Sequence, residues 1–336
     1  MNEGRTPALL LLGLTLSACG GGTSGPTSGA PELLAISPAD GAVGVHNDTN
    51  IELSFSQSMN RASVEAAYVS FSEGLRREQV TFVWNANSTK VTIDPKTDLK
   101  YADGTAAPIT YAFLVGASAA GQSGKTLNET EASFKTARRF TATLGSQAAL
   151  DGYTSGHEAA YSNNVVGFSP ARTGGMTDML PDVGSATVSV RAFYSFDLSG
   201  VPLSVAPDDI SAATLSLEQV NVYPATAYAN MSTAAEHLIL EHVNYGAQLT
   251  TSDFGTPALD LVTSSFSTDA TYTRRSADVL AQIRNDLANR ADRGNRAQFR
   301  LRFPKDQPEG NYGFAEFATA EDAARAPGLE IHYLAP

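Results

Sequence analysis

The chain has 336 residues, a formal net charge of −12 and a single cysteine. That acidity excludes the basic footprint that nucleic-acid phosphates demand, and one cysteine excludes an internal disulfide, so burial has to hold the fold together. The length suggests two domains, and no apolar run approaches the ~20 residues of a membrane-spanning helix.

The first residues read as an address. Arg5 gives a thin positive region, partly offset by Glu3, and Ala8 to Leu16 are nearly all apolar, the length of a signal-peptide core. Leu16-Ser17-Ala18-Cys19 closes this run, and Gly20-Gly21-Gly22 follows. The tetrapeptide resembles a bacterial lipobox. That resemblance implies a signal peptide over 1–18 and lipidation of the Cys19 thiol, whose thiolate is a good nucleophile. It also implies a membrane partner reached through the lipid. An ordinary signal peptide with an incidental cysteine is the alternative. Glycine after the cysteine, in place of aspartate, implies by the family's rules an outer-membrane or cell-surface location. Residues 19–30 form a Gly/Ser-rich tether, whose last 11 residues span roughly 18 Å as a coil.

From Pro31 the pattern changes to short alternating runs between turn residues. Glu32–Ser37, Ile51–Ser56, Val80–Trp84, Lys90–Asp94, Ile109–Val115 and Ala132–Thr136 read as strands, with Asn85–Ser88 as a hairpin turn. Such spacing predicts a β-sandwich. Three stretches then carry a resemblance: Ile36-Ser37-Pro38-Ala39-Asp40-Gly41, Phe55 to Asn60, and Leu99 to Gly104. Together with Tyr111-Ala112-Phe113 and Phe134-Lys135-Thr136, they make residues 31–137 resemble the SbsA-type bacterial Ig-like domain. Phe55 and Met59 are expected in its core. The Gly/Ser/Ala stretch Ala117–Gly124 departs from the family pattern and predicts an extended loop.

Residues 138–336 form a second, larger body. Thr141–Leu144, Ala186–Leu198, Ile210–Val220, Leu238–Val243, Phe299–Phe303 and Leu329–Tyr333 read as strands. Residues 151–185 are rich in Gly, Ser, Asn and Thr and predict long loops with one short strand near Val165-Val166. One amphipathic helix is predicted, with Ser276 as N-cap and Val279, Leu280, Ile283 and Leu287 on its apolar face. Arg284, Asp286 and Arg290 are expected to face water. The motifs Arg191–Ser199, Ile210–Leu217 and Pro327–Tyr333 resemble the DNRLRE-type β-sandwich, related to a carbohydrate-binding module family. The expected fold is therefore all-β: an Ig-like sandwich followed by a larger, jelly-roll-like sandwich with one short helix.

Chemistry is sparse. There is no Gly-x-Ser-x-Gly elbow, no His-Glu-x-x-His and no phosphate-cradling glycine loop. His237 and His242 are five apart in a strand, which points them to opposite faces and disfavours a metal pair. Glu236, His237, Glu241 and His242 are expected to face solvent. Asp197, Asp208 and Asp209 could hold a structural calcium ion, although no motif indicates one. Eight arginines lie between Arg274 and Arg302, among them Arg284, Arg290, Arg293, Arg296, Arg300 and Arg302. They form either a patch for an anionic polysaccharide or headgroup or the solvated face of a helix and strand. Tyr153, Tyr161, Tyr223, Tyr228, Tyr245 and Tyr312 fall in or beside expected loops and are candidate sugar platforms or rim packing.

These readings point to a non-catalytic cell-surface lipoprotein with a structural, adhesive or display role and no cofactor. Its partners would be the membrane, and an envelope polysaccharide or another surface protein. The alternative is a polysaccharide-binding lipoprotein that uses the C-terminal sandwich. A third reading is an enzyme with a dispersed active site in residues 140–185, which a pocket grouping a histidine with carboxylates, for example around His157 and Glu158, would favour.

Overall fold

Alternation of apolar and polar residues is the signal that builds this molecule. In Ile51–Phe55 the odd positions are buried and the even ones half-exposed, as a strand with one face on a core requires. The computed structural model describes residues 29–157, 163–166, 169–180, 184–308 and 312–336. Cys19, Glu158 and Tyr161 lie outside the described residues.

The first sandwich contains β1 (Leu33–Ser37), β2 (Ala42–Val45), β3 (Ile51–Phe55), β4 (Tyr68–Val69), β5 (Val80–Trp84) and β6 (Lys90–Pro95). It continues with β7 (Ala102–Asp103), β8 (Thr110–Val115) and β9 (Thr130–Thr136). Two four-stranded sheets, β1-β3-β6-β5 and β2-β9-β8-β4, enclose its core. Met59 and Phe55 lie in that core, the latter beside Trp84 at 6.1 Å between ring centroids. A short helix, α1 (Arg61–Ala67), follows Asn60, whose side chain accepts from Ser63 N and so caps it. Asp40 sets the first turn by accepting from Ser133 N at 2.8 Å.

The second body begins one residue later. Its strands are β10 (Arg138–Gly145), β11 (Gly152–His157), β12 (Asn163–Val166), β13 (Ala171–Leu180), β14 (Gly184–Asp197) and β15 (Ile210–Tyr223). They continue as β16 (Leu238–Val243), β17 (Asp260–Ser267), β18 (Arg274–Asp278), β19 (Arg296–Arg302), β20 (Tyr312–Phe317) and β21 (Gly328–Ala335). Two helices, α2 (Ala227–Met231) and α3 (Leu280–Ala288), accompany them where one was expected.

Over residues 151–185, β12 is the short strand expected near Val165-Val166, but β11 and β13 stand where loops were expected. Composition hides them because other segments cross them closely. A Cβ on Gly156 would lie 2.4 Å from the Phe254 ring, and one on Gly174 would lie 2.0 Å from Gly313 O. Glycine is the residue that permits such approaches. The helix also starts later than expected. Ser276 lies on β18, its hydroxyl 2.8 Å from that of Ser216, and Asp278 accepts from Leu280 N instead. Val279, Ile283 and Leu287 are buried as the spacing required.

β15 joins the two layers of this body. Ile210–Ser216 pairs with β21 and Thr214–Glu218 with β18, whereas Gln219–Tyr223 pairs with β20. The register slips between Gln219 and Asn221, a bulge that re-aims the strand. Gln219 is fully buried at this corner. Its Nε2 donates to Asp269 O (3.0 Å) and Thr271 O (2.9 Å), and its Oε1 accepts from the hydroxyls of Tyr228 (2.6 Å) and Ser267 (2.8 Å). Every hydrogen-bonding position of the amide is thus filled.

The junction between the bodies is a strand continuation. β9 ends at Thr136, β10 starts at Arg138, and Ala137 between them is 2% exposed. β7 pairs in parallel with β10, Ala137 N donates to Val45 O, and His46 Nε2 lies 3.0 Å from Asp209 Oδ1.

Replacing Gln219 by leucine strands two hydroxyls and two carbonyls at once. We expect Gln219→Leu to lower unfolding free energy by roughly 3–5 kcal/mol in urea titrations. Ser267→Ala, which removes one hydroxyl of the set, should cost about 1 kcal/mol.

Candidate functional site

The arginine run does not form an open patch. Arg300 is 3% exposed, and its Nε donates to Glu241 at 2.8 Å while Nη1 donates to Thr256 O. Arg302 holds the other oxygen of the same carboxylate at 2.8 Å. Arg284 donates twice to Ile210 O, and Arg290 donates to Val201 O, Pro202 O and Asn295 Oδ1. Arg293 donates to Asn285 Oδ1, and Arg296 reaches Gly294 O. These cations satisfy carbonyls at strand ends and a buried carboxylate, which the planar five-donor guanidinium does better than any other side chain.

The expectation that Asp286, Glu241 and His242 face water is likewise corrected. All six residues of β16 are buried. His242 Nε2 lies 2.9 Å from both oxygens of Asp286, with side-chain exposures of 2% and 1%. Burial pushes the Asp286 carboxyl up, and the hydrogen bond to His242 opposes it. A His–Asp pair is the kind of unit that can serve a general base. Here it packs against Phe299 and is shielded from any solute, so its role is to hold α3 on β16.

The calcium candidates do not converge. Asp197 accepts from Ser199 N, Asp209 faces His46, and Asp208 is exposed. Among the described residues no group of three His, Cys, Asp or Glu side chains is placed to share a metal ion.

The tyrosines separate cleanly. Tyr245 is buried, with its hydroxyl donating to Leu150 O, Tyr228 is buried against Gln219, and Tyr153 is half-buried on β11. Tyr223 and Tyr312 lie on adjacent strands rather than in loops. Their rings stack at 4.9 Å with 6° between planes, their hydroxyls are 3.1 Å apart, and Tyr223 is 57% exposed. A polar row continues from them. The Tyr272 hydroxyl donates to Asn221 Oδ1, Asn221 Nδ2 donates to Glu316 Oε2, and Arg172 Nε donates to Glu316 Oε1. Arg172 also lies over the Phe314 ring at 5.0 Å. Sequence reasoning missed Tyr272, Asn221, Glu316 and Arg172. The available signal was the two-residue period that puts Asn221 and Tyr223, and Tyr312 and Glu316, on one sheet face.

One buried acid lies under the opposite end of the sheet. Asp151 is fully buried. Its Oδ2 accepts from the Ser146 hydroxyl and Ala320 N, and its Oδ1 has no partner. Burial pushes its carboxyl up to about 6. Between about pH 4 and 6 the folded chain retains a proton that the unfolded chain has released, so stability falls as pH rises through that window. We expect Asp151→Asn to flatten this slope and to raise stability at pH 7 by on the order of 1–3 kcal/mol. Urea midpoints measured from pH 4 to pH 7 will test it.

Comparison with known proteins adds little beyond the first sandwich. No curated protein matches the chain. The N-terminal part of the bacterial S-layer protein SbsC is 11% identical, over 49% of this chain and 40% of that one, with a TM-score of 0.23. SbsC domains 1–6 are 10% identical over 90% of this chain and 53% of that one, with a TM-score of 0.24. SGBP-B from a complex xyloglucan utilization locus in Bacteroides uniformis is 8% identical over 86% and 72%, with a TM-score of 0.23. This chain therefore spans less than half the length of the first SbsC structure. The family result is specific: residues 27–145 match the bacterial Ig-like domain, Big_5, a span that takes in the whole first sandwich and β10.

Proposed function

We propose that this protein is a non-catalytic, lipid-anchored protein of the cell envelope in which the Ig-like sandwich carries the larger sandwich as a structural or adhesive element. The observation that carries this reading is the junction. A flexible linker would let two modules act separately, whereas here one strand runs into the next with a single buried residue between them. The lipobox-like Leu16–Cys19 supplies the anchor in this reading. The DNRLRE-like motifs support the identity proposed for the second body. Phe193, Tyr194, Phe196, Ile210, Leu215, Leu217, Leu329 and Ile331 are all at or near zero exposure, as residues that define a sandwich core must be.

The anchor is tested by fractionation. Cys19→Ala should move the protein from the membrane fraction to the soluble fraction and abolish incorporation of labelled fatty acid. Retention on membranes without lipid would sink the anchored reading.

One observation favours a second reading, polysaccharide binding. The Tyr223–Tyr312 stack exposes aromatic surface beside the Asn221–Glu316–Arg172 row, and sugars dock by laying a C–H face on such a ring while polar side chains take the hydroxyls. Calorimetric titration with neutral polysaccharides should then give salt-insensitive binding that Tyr223→Ala weakens about five- to ten-fold. Absence of binding across neutral and acidic polysaccharides returns the protein to the structural role.

A further inference from the structure

The solvent-facing side of the sheet β2-β9-β8-β4 lacks the polar cover that an exposed sheet face ordinarily carries. Val69, Leu114 and Glu131 stand in register across β4, β8 and β9. With Phe71, Ala112 and Glu129 they line a groove of about 420 Å³. Phe71 is 89% exposed and Val69 40%, and Ala112 and Leu114 are half-buried behind them. Two serines hold the phenyl ring out. Ser70 Oγ donates to Ala112 O at 2.7 Å, and Ala112 N donates to Ser72 Oγ at 2.9 Å. These bonds replace ladder bonds on β8 and turn residues 70 and 72 toward that strand, which leaves Phe71 pointing away from it. The exposure of this ring is built into the fold, so the apolar surface is already ordered when a partner arrives.

The rim selects the occupant. Glu129 and Glu131 are exposed, and no lysine or arginine lines the groove. Among the described residues neither carboxylate has an ion-pair or hydrogen-bond partner. Lys135 faces the same way on β9 but lies four residues from Glu131, about 13 Å along an extended strand. A membrane surface of anionic headgroups is repelled by such a rim. A sugar finds no free serine hydroxyl here, because those of Ser70 and Ser72 are engaged with Ala112. A second copy seated by two-fold symmetry sets the glutamates against their own counterparts. A segment that brings apolar side chains to Val69, Phe71 and Leu114 and cations to the two glutamates meets every one of these conditions.

We propose that this face of the Ig-like sandwich docks a basic segment of another protein, with apolar side chains in the groove beside Phe71 and lysines or arginines on Glu129 and Glu131. This goes beyond the role of the first sandwich in carrying the second. It depends on neither the anchor nor the tyrosine stack, so it stands or falls alone.

The test is an NMR titration of the full-length ¹⁵N-labelled protein with three capped peptides as probes: alternating lysine and leucine, the same peptide with glutamate for lysine, and the same peptide with serine for leucine. Saturable shifts in residues 69–72, 112–114 and 129–131 are expected with the lysine–leucine peptide, and none with the glutamate peptide. The lysine–serine peptide should bind at least about five-fold more weakly, since it lacks the apolar contact. Phe71→Ser and Glu131→Lys, both at exposed positions, should each weaken binding of the lysine–leucine peptide at least about five-fold, with spectra otherwise matching the parent. No shift with the lysine–leucine peptide, equal binding of either control peptide, or variants that bind as well as the parent overturn the proposal. Shifts of the same residues that grow with protein concentration and without peptide assign the face to a second copy and overturn it too.

Discussion

Everything in the larger body turns on the corner at Gln219. A sandwich needs its sheets either separately closed or joined by strands that bend between them. β15 takes the second route, serving β18 and β21 with its first half and β20 with its second. Bending a strand there interrupts its ladder where solvent cannot repair the loss. The Gln219 amide supplies the repair by bonding Asp269 and Thr271 backbone carbonyls and two hydroxyls from separate elements. A buried network of this kind is favourable only when complete, and this one is.

The same logic explains the arginines. With one cysteine and a core interrupted by turns and helix ends, the fold contains many carbonyls that sit near the surface without strand partners. Arg284 and Arg290 reach three of them. Arg300 and Arg302 share one carboxylate on the neighbouring strand, a pair that is costly to break because removing Glu241 would leave a buried guanidinium uncompensated. The positive charge at this place is therefore engaged by backbone carbonyls and a carboxylate of the fold, although Arg300 alone of these arginines is buried.

Much of the architecture was legible because strands announce themselves by a period of two, as in Ile51–Phe55 and Lys90–Pro95. Helix α3 was legible through Val279, Ile283 and Leu287, but its start was not, since Ser276 is an equally good cap and strand residue. Of the strands over residues 151–185, β12 was legible at Val165-Val166, but β11 and β13 were not, because their glycines answer to Phe254 and Gly313, far away in the chain. Charge placement was the least readable. Glu241 and Arg300 are 59 residues apart, and nothing local distinguishes an arginine that solvates from one that fastens. The tyrosine pair was half-readable: the residues were noticed, but β20 was not, so their shared face could not be seen.

The junction at Ala137 bears on how the chain can be cleaved as well as on how it is held. Proteins built from modules are nicked where a protease can seat an extended, solvated peptide. Between these two sandwiches no such peptide exists, because the joining residue is buried and both flanking segments are already committed as strands. Cleavage there requires one of the bodies to unfold first. Resistance of this joint to proteolysis is accordingly set by the less stable of the two cores and not by the joint itself.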